Sequence, residues 1–205
     1  MEKNLGAEIY GIDRWGHEIL SVLPNGDAGL IDVLNRDATP VSIPSIIQDL
    51  SERGIKAPVL LRVNSFLQSS LIELNEGFRA AINDYEYEGN YRGVFPVKVN
   101  QVVRRIVETG RQYNYGLEVG SKPELLIALA QNLSKEALLI CNGVKDEEFI
   151  RLAIMSRKMG FNTIIVLESP KELDLVFNVA RDLGEKPALG VRIKLTHQIK
   201  GYWAT

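Results

Sequence analysis

From residue 93 onward the chain repeats one unit: a short apolar, branched run followed by a stretch of helical period. The runs are Gly93–Lys98 (GVFPVK), Tyr115–Val119 (YGLEV), Ala137–Asn142 (ALLICN), Thr163–Glu168 (TIIVLE) and Ala188–Lys194 (ALGVRIK). Between them lie helical stretches over Gln101–Thr109, Pro123–Asn132, Asp146–Met159 and Pro170–Leu183. Strands that are apolar on both faces need cover on both faces, the condition of a parallel sheet wrapped by helices. Upstream, Pro58–Val63 (PVLLRV) has the same character and lies between helices over Pro44–Arg53 and Phe66–Tyr85. Gly54, Gly110, Gly160 and Gly184 follow or close helices and are expected as stops, not as ligand contacts.

The first forty-odd residues differ. Ala7–Ile12, His17–Val22 and Ala28–Val33 are short β-prone runs parted by Asp13-Arg14-Trp15-Gly16 and Pro24-Asn25-Gly26-Asp27. Turn-forming residues at those places predict a small antiparallel meander over residues 1–43. Three short strands are marginal alone, so this part is expected to lean on something else.

Composition narrows the classes. With 24 basic against 26 acidic residues, the formal charge is −2, without the basic excess of a nucleic-acid or anionic-membrane binder. One cysteine, Cys141, fits a reducing compartment and no disulfide framework. The start has no apolar leader run, and no stretch reaches the about 18 apolar residues of a spanning helix. A cytoplasmic protein with no membrane or nucleic-acid partner is the expectation.

Nearly every strand of the repeat ends on a polar residue: Lys98, Glu118, Asn142, Glu168 and Arg192. In a (β/α)8 barrel the active site lies at those carboxyl ends. A closed barrel takes about 250 residues and eight strands, and the stretch from 44 to 205 carries about six. The expected fold class is α/β: an incomplete (β/α)8 TIM barrel, about six of eight βα strands, preceded by the short β meander. The competing arrangement is an open, doubly wound sheet.

Lys98 is the sharpest chemical candidate. An ammonium at the end of an apolar strand is expensive to bury, and desolvation favours the neutral amine that a Schiff-base nucleophile needs. The residues alone leave a second reading open, a lysine that snorkels to solvent. Glu118 has the same two readings, a group that orients the lysine or a solvated carboxylate. His17 and His197 have no ligand spacing between them, so no metal site is expected. Cys141, inside an apolar run, reads as a buried small hydrophobe. Arg104 and Arg105 read as a solvated helix face, and Asp146-Glu147-Glu148 as acids at a helix start.

The segments FPVKVNQ (95–101), GLEVGSKPELL (116–126), ICNGVKDEEFI (140–150) and LGVRIKL (189–195) occur in one order and spacing. Together they resemble the biosynthetic arginine decarboxylase family, pyridoxal-phosphate enzymes of the alanine-racemase-like barrel class (fold type III). The WGHEI turn and the PVLLRV strand fit as well, so the resemblance runs to about Leu195. It implies that Lys98 is the lysine joined to pyridoxal 5'-phosphate as a Schiff base. It further implies that Glu118, Ser121 and Arg192 lie beside the cofactor.

The implied reaction is decarboxylation of L-arginine to agmatine and CO2, an early step of polyamine synthesis. Relatives continue with further strands, phosphate-binding loops, the carboxylate that pairs with the pyridine nitrogen, and a larger β-domain. The resemblance therefore makes this chain an amino-terminal part, inactive alone, with residues 1–43 belonging to that β-domain. Its partners would be the amino-acid substrate, the missing portion or a second chain, and further copies in a homo-oligomer. Magnesium follows from the resemblance alone, since the sequence offers no site for it. After Leu195 the chain departs from relatives, with Trp203 as a possible counterpart of a family tryptophan. Other readings are another fold type III decarboxylase or racemase using the same lysine, or a non-catalytic relative that binds the cofactor or partners.

Overall fold

The computed structural model describes residues 5–193; Lys194, Leu195, His197 and Trp203 lie outside them. The chain divides into two compact units, 1–76 and 77–205.

In the first unit, α1 (Leu5–Tyr10) and α2 (Ile12–Trp15) precede β1 (Leu20–Val22), β2 (Ala28–Leu30), β3 (Val41–Ser42) and α3 (Ile43–Glu52). Ala7–Ile12 is therefore helical and not the first strand of the meander. Gly11 takes φ +62°, which breaks extended backbone, and its carbonyl accepts from Arg14 N–H at 2.9 Å. The Trp15 indole N–H, donating to the Tyr10 carbonyl at 2.7 Å, closes the same turn.

The antiparallel meander does form, in the order β1-β2-β3. Leu20 pairs with Leu30, and Gly29 with Ser42, so its third strand comes from a two-residue segment that periodicity cannot detect. His17 and Glu18, at φ +47° and +57°, form the turn before β1. Ser42 then caps α3, its Oγ accepting from Ser45 N–H at 3.1 Å and donating to Asp27 at 2.6 Å.

Pro58–Val63 was expected as a strand, yet it has no ladder partner among the described residues, and Leu60 is 76% exposed. Apolar composition makes a segment ready to pair; only a neighbouring strand makes it a strand. The helix α4 (Asn64–Asp84) runs across the boundary between the units.

The second unit contains β4 (Val94–Pro96), α5 (Arg104–Gly110), β5 (Gly116–Val119), α6 (Lys122–Leu129) and β6 (Leu138–Cys141). These are followed by α7 (Glu147–Lys158), β7 (Asn162–Leu167), α8 (Pro170–Leu183) and β8 (Ala188–Val191). All neighbouring strands are parallel and ordered β4-β5-β6-β7-β8. Each strand lies beside its successor in the chain, whereas a doubly wound sheet reverses its order at a switch point. This is the wall of an incomplete (β/α) barrel, built here from five paired strands.

Side-chain alternation divides the wall into two faces. Leu117, Val119, Leu139, Cys141, Thr163 and Ile165 are fully buried. The apolar ones join a core with Leu125, Phe149, Ile150, Ile154 and Val176 from the helices. Each such side chain contributes about 1.5–3 kcal/mol by leaving water. The buried Thr163 hydroxyl is satisfied by Ser156 Oγ of α7 at 2.6 Å. The even-numbered residues Glu118, Leu138, Ile140, Ile164 and Val166 occupy the opposite, half-buried face.

Gly54, Gly160 and Gly184 have positive φ and end their helices as expected. Gly110 does not. It is helical, at φ −76°, and the chain turns on through residues 111–113 to Asn114 at φ +52°. A side chain at Gly110 would put its Cβ 2.5 Å from that of Tyr115, so small size is what this position requires.

Candidate active site at the carboxyl rim of the barrel wall

β4 ends at Pro96, which pairs with Glu118 of β5. A 3-10 turn over Val97–Val99 follows, so Lys98 stands just past the strand. Val97 is fully buried and anchors the turn, while Lys98 is exposed. The desolvated lysine expected from the apolar run is not found, because the strand gives way to a turn before reaching it. Among the described residues its ammonium has no hydrogen-bond or ion-pair partner.

Glu118 is half-buried on the inner face, flanked in sequence by the fully buried Leu117 and Val119. Ser121 is the N-cap of α6, its Oγ accepting from Glu124 N–H at 3.5 Å. Glu124 returns a carboxylate oxygen to Gly120 N–H at 2.8 Å, which ties down the loop after β5. The next loop packs against it: a Cβ on Gly143, at φ +86°, would lie 2.8 Å from the Gly120 carbonyl oxygen. Between these loops the Asn142 Oδ1 atom is buried with no hydrogen-bond partner.

Beyond β7, Glu168 accepts from Gly143 N–H at 3.0 Å and from Arg192 at 2.9 Å. Arg192 is itself held by its N–H to the Leu167 carbonyl at 2.9 Å, an extension of the β7–β8 ladder. Burial alone pushes the Glu168 carboxyl up. The Arg192 and Gly143 hydrogen bonds, with the charges of Arg192 and Lys145, outweigh that and hold it below the usual carboxylate range.

The structure thus joins Glu168 and Arg192 directly. Lys98 stands in the turn after β4, Glu118 on the neighbouring β5 and Ser121 at the following helix cap, without a polar contact among the three. Two residues escaped the sequence reading. Lys145 and Glu172 form a buried ion pair at 3.2 Å behind the rim. Their separation of 27 residues carries no sequence pattern. A cavity of about 820 Å3 in the first unit is lined by Glu8, Asp13, Arg14, Glu18 and Ser21 among others. Among the described residues no group of three or more His, Cys, Asp or Glu could hold a metal ion.

Residues 71–203 match the family model for the pyridoxal binding domain of pyridoxal-dependent decarboxylases. The chain belongs to the pyridoxal-dependent decarboxylase family. Among its relatives, the biosynthetic arginine decarboxylase of Prochlorococcus marinus (strain MIT 9313) is 41% identical over 202 residues. That match covers 97% of this chain and 31% of the relative. The corresponding Deinococcus radiodurans enzyme is 42% identical over 200 residues, 96% of this chain and 30% of the relative.

The solved biosynthetic arginine decarboxylase of Campylobacter jejuni superposes with TM-score 0.78 at 35% identity, over 91% of this chain and 31% of that one. A diaminopimelate decarboxylase from M. jannaschii shares the fold, at TM-score 0.60 and 21% identity, over 86% of this chain and 36% of that one. The chain thus spans about a third of the length of the arginine decarboxylases it matches. In a pyridoxal-dependent decarboxylase the orphaned Asn142 oxygen, the close-packed Gly120 and Gly143 loops and the unpaired Lys98 amine fit a rim that receives a polar cofactor.

Proposed function

We propose that this chain supplies the first part of the cofactor barrel of an enzyme that decarboxylates L-arginine to agmatine and CO2 in polyamine synthesis. Residues 1–43 belong to a β-domain completed by other segments, and residues 44–205 to the barrel. The observation that carries the reading is the position of Lys98. It stands immediately past β4, on a rim whose next polar residues are Glu118, Asn142, Glu168 and Arg192.

Pyridoxal phosphate, when bound, supplies an aldehyde for covalent attachment and a ring that withdraws the electrons left when CO2 departs. Lys98 offers the amine for that attachment, and its lack of a competing acceptor leaves its lone pair available once deprotonated. Glu118, one strand away and half-buried, orients the Lys98 amine toward the cofactor. Ser121 and Arg192 flank the cofactor, with Arg192 aimed by Glu168. The chain alone is inactive, because relatives devote about two thirds of their length to segments beyond it.

The complete enzyme is read as a cytoplasmic homo-oligomer. Among the described residues no helix is long and apolar enough to cross a membrane. Magnesium gains no ligand group among the described residues.

Borohydride reduction of the completed protein in the presence of pyridoxal phosphate tests the lysine. Adduct on the Lys98 peptide, absent in Lys98→Ala, supports the assignment, and labelling of another lysine rejects it. Release of CO2 by the complete enzyme from arginine, ornithine, lysine and diaminopimelate, compared side by side, tests the substrate. No preference for arginine would remove that part of the reading.

A further inference from the structure

Behind the rim lies a charged pair that the reading above leaves without a task. The Lys145 side chain is fully buried, and Glu172, in the first turn of α8, is nearly so. Replacing such pairs by apolar residues is often neutral or stabilising, so stability alone gives little reason for one here. What distinguishes this pair is where its hydrogen bonds go.

The Lys145 ammonium donates to the Gly143 carbonyl and faces Glu172 Oε2 at 3.2 Å. Glu172 accepts from Lys145 N–H at 3.3 Å and from Glu168 N–H at 2.8 Å. Glu168 in turn accepts from Gly143 N–H and from Arg192. Both peptide groups of Gly143 are therefore fixed, its carbonyl by Lys145 and its N–H by Glu168. The pair clamps the loop after β6 to the loop after β7, and the side chain so placed holds the residue after β8.

We infer that Lys145 and Glu172 are positioning residues, a brace that sets Glu168 and through it Arg192 at the cofactor rim. The inference rests on the reading of the rim as a pyridoxal-phosphate site. Neither residue touches cofactor or substrate. They act by removing freedom from two loops whose ends must stay aligned for Arg192 to meet its ligand.

The test measures pyridoxal-phosphate affinity by equilibrium dialysis, beside melting temperature, on the protein as its own host produces it. The variants are Lys145→Met with Glu172→Leu together, Lys145→Arg alone, and Val176→Ala as a control. Val176 is fully buried on the same helix, and its side chain has no polar atom to join the brace's hydrogen bonds. The double variant leaves no unpaired buried charge but removes the acceptor of two backbone N–H groups, so it is expected to stay folded with a modestly lowered melting temperature. Its affinity is expected to fall about tenfold, the scale on which supporting contacts tune bound groups. Lys145→Arg should recover part of the loss, and Val176→Ala should lower the melting temperature with affinity unchanged.

Wild-type affinity in a folded double variant would overturn the inference, as would an equal affinity loss in Val176→Ala. Unfolding of the double variant would also count against it, by assigning the pair to stability. Failure of the wild-type protein to take up pyridoxal phosphate would overturn the earlier reading as well, whereas unaffected variants of a binding-competent wild type would overturn this one alone.

Discussion

Glu168 Oε1 lies 2.9 Å from an Arg192 guanidinium nitrogen, and the same oxygen accepts the Gly143 N–H at 3.0 Å. One carboxylate oxygen therefore links the exits of three consecutive strands. The arginine and the amide together favour the charged carboxylate over its buried, protonated form, so the group's folded value lies below its unfolded one. Such a group stabilises the fold above the ordinary carboxylate range and ceases to do so as pH falls through the folded value.

Glu168→Gln, which keeps the shape and removes the charge, should therefore destabilise the protein at neutral pH and match wild type in acid. Arg192 keeps 61% of its side chain exposed, so solvent screening limits the neutral-pH gap to about 1 kcal/mol. Denaturant midpoints measured across pH 3–7, spanning the ordinary glutamate value near about 4.3, check this. A gap that is constant or widens on acidification would contradict it.

Leu139 and Ile140 are adjacent on β6 and face opposite ways. Leu139 is fully buried against the helices and Ile140 is half-buried on the inner face. Leu139→Ala should cost about 2–5 kcal/mol. Ile140→Ala should cost clearly less if the described wall stands uncovered, and a similar amount where further strands close over it. Chemical denaturation of both variants, with and without the segments that accompany this chain, separates the two cases.

The barrel wall was legible because its strands are short, mostly apolar runs and the helices α6, α7 and α8 begin with recognisable signals. Pro123, Asp146 and Pro170 are examples, and Asp146 does cap α7 by accepting from Phe149 N–H at 2.9 Å. Where one residue decides the conformation, the pattern failed. Gly11 turned an alternating AEIYGI into two helical turns, and Gly110 proved to serve packing, not termination. Pro58–Val63 showed the limit of composition, since pairing depends on a neighbour that no local string encodes. In the site, residue types at strand ends were visible, but their couplings were not. Nothing in the sequence ties Lys145 to Glu172, or shows that a turn would expose Lys98.

Ser42 joins two jobs in the first unit. Its Oγ caps α3 through Ser45 N–H and donates to Asp27 in the β1–β2 turn. Ser42→Ala should cost about 1 kcal/mol from the cap. Ser42→Asp should keep the cap yet set a second carboxylate against Asp27, so it should rescue stability only in acid, where one of the two is protonated. Thermal melts of both variants at neutral and acid pH check the pair of expectations.

Cys141 lies on the helix-facing side of β6, fully buried between strands and helices. Burial pushes its thiol up to about 12, and the nearby Lys145 charge offsets only part of that. Since the thiolate is the nucleophile, the folded protein should resist iodoacetamide at neutral pH and react fully once unfolded. The sign for stability follows: above the ordinary thiol range near about 8.5 the unfolded chain ionises and the folded one does not, so alkali favours unfolding. Cys141→Ala should remove that contribution while losing some packing. Labelling rates in native and denaturing buffer, read by mass spectrometry, decide the matter. Rapid modification of the folded protein would show a strand layer that opens, or a thiol placed elsewhere than between sheet and helices.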